Sequence, residues 1–64
     1  GPAGISEDPV LQALGWEPCG LDALQARCGW DTAALQAHLF QLELDGRVSR
    51  LSGGRFQRLA PHPG

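Results

Sequence analysis

The chain has 64 residues and a formal net charge of −2, and all five of its cations are arginine. A chain this short holds one small domain, which buries roughly 60% of its unfolded surface and leaves no room for a cofactor domain beside a substrate domain. No apolar run nears membrane-spanning length, and two cysteines, Cys19 and Cys28, are too few for the disulfide framework of a small secreted domain.

Reduced thiols and a cytoplasmic setting are therefore expected, with a Cys19–Cys28 bridge as the alternative. The charge is unevenly spread. All seven acids lie in residues 1–46, where Arg27 is the only base, whereas residues 47–64 hold Arg47, Arg50, Arg55 and Arg58 and no acid. The opening Gly1-Pro2, in a chain without Met, reads as a protease-cleavage scar, so a domain cut from a larger protein is expected.

Residues 1–7 read as a flexible lead-in, and the folded domain is expected over residues 8–59. Asp8-Pro9 is a helix start, with Asp8 as cap and Pro9 at the first helical position, where its missing N–H costs nothing. Val10, Leu11 and Leu14 follow at helical spacing, and Gly15 stops the run. After a connection through Trp16 and Pro18, Cys19 is read as a very short strand pairing with the later hairpin. Leu21, Leu24, Ala26 and Cys28 support a second helix, closed by Gly29. Trp30 sits in the turn and is expected to lock the second helix to the third. Asp31 caps that third helix, which runs from Thr32 to about Asp45 and ends at Gly46.

Val48–Leu51 and Phe56–Leu59 are predicted strands, joined by Gly53-Gly54 as a two-residue hairpin turn. That register places Leu51 opposite Phe56 and Val48 opposite Leu59, pairs that belong to opposite sheet faces unless a bulge intervenes. Residues 60–64, with two prolines, are expected to be disordered. Three helices followed by a two-stranded hairpin describe a mostly α winged helix-turn-helix, with the second and third helices as the helix-turn-helix and the hairpin as the wing.

On the third helix, Leu35, Leu39 and Leu42 form the core stripe, with His38 at its edge. The opposite stripe is Ala33, Ala37, Phe40 and Leu44. A helix that reads bases carries Arg, Lys, Asn or Gln outward; here only Gln36 and Gln41 flank the stripe, and Asp31, Glu43 and Asp45 repel phosphates. The stripe is read as a protein interface, the alternative being that Phe40 and Leu44 pack under the first helix or the wing. On the wing, Arg50, Arg55 and Arg58 are candidates for sequence-blind phosphate contact, helped by the open backbone at Gly53 and Gly54. The alternative is that they keep an edge hairpin soluble. Arg47 is placed to pair with Glu43.

Cys19, Cys28, His38 and His62 are spaced C-x8-C-x9-H-x23-H, which matches no compact zinc pattern, so no metal site is expected. No nucleophile–base set or phosphate loop is present, so neither an enzyme nor a cofactor site is expected.

From Pro9 to Leu59 the chain resembles the C-terminal winged-helix domain of the DprA (Smf) family of bacterial DNA-processing proteins. The most specific part is "LFQLELDGRVSRLSGGRFQR", a Leu-Glu-Leu helix end, a glycine, and a Gly-Gly hairpin followed by Arg-aromatic. The resemblance implies a parent protein with a Rossmann-like domain on the N-terminal side. That domain binds single-stranded DNA, and the parent helps load the RecA recombinase during natural transformation. The expected role is an accessory interaction or regulatory domain with weak phosphate contact. Its expected partners are the parent's Rossmann-like domain, another protomer or RecA, and no membrane. The rival is a duplex-DNA-binding module of the parent; a transcription regulator is a third reading, disfavoured by the absence of a basic recognition helix.

Overall fold

A computed structural model describes residues 8–60. The expected lead-in, and the expected tail beyond Ala60, lie outside the described residues. The elements follow the order α1 (Pro9–Leu14), β1 (Cys19–Gly20), α2 (Leu21–Cys28), α3 (Thr32–Leu44), β2 (Val48–Leu51) and β3 (Arg55–Arg58). This is the predicted winged helix, with the short strand at Cys19 extended to two residues.

α1 and α3 start on the cap residues expected of them, and α1 and α2 stop at Gly15 and Gly29 as expected. Asp8 caps α1 by accepting the Val10 N–H at 2.8 Å. Asp31 caps α3 by accepting the N–H groups of Ala33 and Ala34. At the other end of α3, Gly46 takes φ 77°. There its N–H bonds the Glu43 carbonyl and the Arg47 N–H bonds the Leu42 carbonyl, at 3.0 and 2.9 Å. This is a Schellman closure, whose left-handed residue is normally glycine because a Cβ is disfavoured there.

The core draws one stripe from each element. Val10, Leu11 and Leu14 of α1, Leu24 of α2, and Leu35, Leu39 and Leu42 of α3 meet Cys19, Val48 and Phe56 from the sheet. Ala26 faces solvent. Trp30 is half-buried in the turn, its carbonyl taking a hydrogen bond from Gln25 of α2, whose amide also donates to Thr32 of α3. The Trp30 ring packs against the core and lies 5.0 Å from the His38 ring of α3. Cys19 is buried and Cys28 half-buried, and both are free thiols.

The three strands form an antiparallel sheet in the order β1-β3-β2. The expected hairpin register is corrected here. Leu51 lies opposite Arg55, Arg50 opposite Phe56 and Val48 opposite Arg58, so the turn has three residues, Ser52, Gly53 and Gly54. The physical reason is burial. A two-residue turn puts Val48 and Phe56 on opposite faces, whereas the three-residue turn puts both on the core face, where they are 3% and 4% exposed. The positive φ of both glycines accommodates the longer loop. β3 accordingly begins at Arg55, one residue before the expected start, and the Leu59 N–H still bonds the Arg47 carbonyl.

Candidate protein and nucleic-acid interface

α3 is not amphipathic in the ordinary sense, because both of its long faces are apolar. Leu35 and Leu39 are wholly buried, yet on the far side Phe40 is 57% and Leu44 65% exposed. Ala33 and Ala37 are exposed beside them. Phe40 and Leu44 pack under neither α1 nor the wing, so the stripe Ala33, Ala37, Phe40 and Leu44 is open to a partner. Asp31, Gln41, Glu43 and Asp45 surround it, and no arginine or lysine projects from the helix.

The new register separates the wing arginines. Residues directly opposite or two apart share a face, so Val48, Arg50, Phe56 and Arg58 lie on the core side, and Ser49, Leu51, Arg55 and Gln57 on the other. Arg50 reaches back to α3, where its Nε and Nη2 donate to the two Glu43 carboxylate oxygens, both at 3.2 Å. Its guanidinium also stands 5.0 Å from the Phe56 ring centre. Glu43 was expected to pair with Arg47. It pairs with Arg50 instead, because the Schellman turn carries Arg47 outward while β2 brings Arg50 back along the helix.

Arg58 lies over Trp16, 4.3 Å from the ring centre, and donates to the Leu11 carbonyl at 3.4 Å. Arg27 of α2 donates to the Ala13 carbonyl at 3.2 Å. Two arginines distant in sequence thus meet the carbonyl-rich end of α1, where positive charge is favourable. Gln57 adds a 2.8 Å hydrogen bond to the Trp16 carbonyl. Nothing in the sequence signals these contacts, since Trp16 and Arg58 share no local spacing. Of the three arginines proposed to meet phosphate, only Arg55 lies on the outer face; Arg50 is exposed too, but paired with Glu43. Among the described residues, neither Arg55 nor Arg47 makes a side-chain hydrogen bond or ion pair.

A three-helix, three-stranded domain with a Schellman stop after Leu-Glu-Leu and a Gly-Gly wing turn carries the features of one winged-helix family. The model of the DprA winged helix domain matches residues 2–54. The chain belongs to that family. DprA proteins take part in DNA processing and transformation, and their winged helix is a DNA-binding type of domain. No curated protein and no solved structure matches the chain. Among the described residues, no helix is long and apolar enough to cross a membrane.

Within the DprA fold, the second helix of the helix-turn-helix is therefore an apolar ridge, and among the described residues the unengaged wing cation close to the turn glycines is Arg55.

Proposed function

We propose that the domain is an accessory module of a cytoplasmic DprA-like recombination mediator. It acts by protein interaction or regulation, without catalysis of its own, and adds weak, sequence-blind phosphate contact through the wing. The observation that carries this reading is the exposure of Phe40 and Leu44 on a recognition helix that lacks an outward cation. A bidentate Arg–guanine contact contributes about 1–3 kcal/mol of base discrimination, and α3 has no residue to make one. The parent's Rossmann-like domain, another protomer and RecA are the candidate partners. Arg55 carries the phosphate contact with the Gly53 and Gly54 backbone; Arg50 and Arg58 contribute only where their inward contacts release them.

Fluorescence anisotropy of the domain against labelled duplex and single strands tests this. Binding should be weak and similar for all sequences. The slope of log K against log salt should lie near −0.9 for each phosphate neutralised and fall by about that much in Arg55→Ala. Phe40→Ala should leave the affinity within twofold. Tight binding lost in Phe40→Ala would mean that the helix lies on DNA, and the duplex-binding reading would replace this one.

A further inference from the structure

We infer that the outer stripe of α3 is a self-recognition surface that takes α3 of a second copy of this chain in antiparallel orientation. This rests on the reading of that stripe as a protein interface and names its partner.

The spacing of the stripe is four, three, four, from Ala33 to Ala37 to Phe40 to Leu44. That is the spacing of a seam between two α-helices packed along their length. The order of residue sizes then selects the direction. With two copies antiparallel and the two-fold axis between Ala37 and Phe40, each Phe40 faces Ala37 of the other copy and each Leu44 faces Ala33. Every layer then pairs a large side chain with a small one, which fills space without crowding. A parallel pair would place Phe40 on Phe40 and leave alanine on alanine, with clashes in some layers and gaps in others.

The ends agree with this arrangement. Antiparallel packing sets the start of one α3 beside the end of the other, so the helix dipoles attract. It also brings Asp31, at the start, beside Arg47, just past the end. Both are exposed. Arg47 makes no side-chain hydrogen bond or ion pair among the described residues, and the Asp31 bonds to Ala33 and Ala34 use only one carboxylate oxygen. The seam itself carries no charge to desolvate. A two-fold contact of this kind is self-complementary and closes at two copies.

The contact is small. A helix of 13 residues is about 20 Å long, and an interface built on it falls below the roughly 1,200 Å² of a standard stable complex. A weak, concentration-dependent dimer is therefore expected, with Phe40 as its anchor.

Sedimentation velocity of the 64-residue chain over a concentration series, with circular dichroism to check folding, tests the inference. The apparent mass should rise from 6.8 kDa towards twice that. Phe40→Glu should hold it at the monomer value throughout. Phe40→Ala should weaken the dimer at least tenfold, and adding Ala37→Phe to that variant should restore it, because the large and small partners then exchange places across the axis. A monomer at millimolar concentration, or a double variant no better than Phe40→Ala, would overturn self-recognition in this register. Amide NMR separates that failure from the failure of the broader reading. If the Ala37 and Phe40 amides shift on adding duplex DNA, the stripe is a nucleic-acid surface; if they do not, a monomeric result leaves a different protein as its partner.

Discussion

Asp8 uses both oxygens of one carboxylate to hold two elements. Oδ1 takes the Val10 N–H at the start of α1, and Oδ2 meets the His38 ring nitrogen of α3 at 2.5 Å. Burial, the largest influence, pushes its pKa up, but the hydrogen bonds from His38 and Val10, with smaller help from the His38 charge and the Leu11 N–H, bring it below 3.8. A carboxyl depressed on folding contributes stability that is fully present above its unfolded value and is lost as pH falls through the folded one. Urea unfolding should therefore show the native chain more stable than Asp8→Asn at pH 6, and that advantage should shrink below about pH 3.8. A constant gap from pH 6 to pH 2 would assign the Asp8 effect to capping alone. At this scale the cap was legible, because Asp-Pro is a local signal. The bond to His38 was not, since it joins residues thirty apart whose meeting depends on how α1 crosses α3.

Gly46 shows what the ends of elements contribute. Its φ of 77° is open to glycine but costs other L-residues about 1–2 kcal/mol. Gly46→Ala should lower unfolding free energy by about that amount, although no heavy atom lies near enough to clash with the added Cβ. An unchanged denaturant midpoint would show that the Schellman turn is not held in its observed form. The helix boundaries were readable because caps and glycine stops act within a few residues. The wing register was not, because Gly-Gly suits both a two-residue and a three-residue turn. Which one forms is decided by whether Val48 and Phe56 share the core face, a fact of tertiary packing. Arg50 and Arg58 share the faces of Val48 and Phe56, so two of the three wing arginines read as phosphate contacts serve as braces for α3 and α1. The apolar outer stripe of α3, by contrast, followed directly from 3.6-residue periodicity.

For the whole molecule, the arrangement of the sheet makes β3 indispensable. It is the central strand, pairing Cys19 through Phe56 on one side and the whole of β2 on the other. It also delivers Phe56 to the core and Arg58 to the end of α1. A chain ending at Gly54 would lack all of this. Removing one buried Phe side chain costs about 3–5 kcal/mol, and a domain of this size is stable by only about 0.05–0.15 kcal/mol per residue. Such a truncation should lose its cooperative thermal transition and its amide dispersion, even though it keeps all three helical segments and the whole of the stretch matched by the family. A truncated chain that still melted cooperatively would show that the helices form a self-sufficient bundle.

Because the middle strand is translated after both of its neighbours, a growing polypeptide cannot assemble the sheet in order. Until Phe56 and Arg58 have cleared the ribosome, Cys19 and Val48 wait without a counterpart. Closure of the sheet therefore waits on β3, and with it the burial of Phe56.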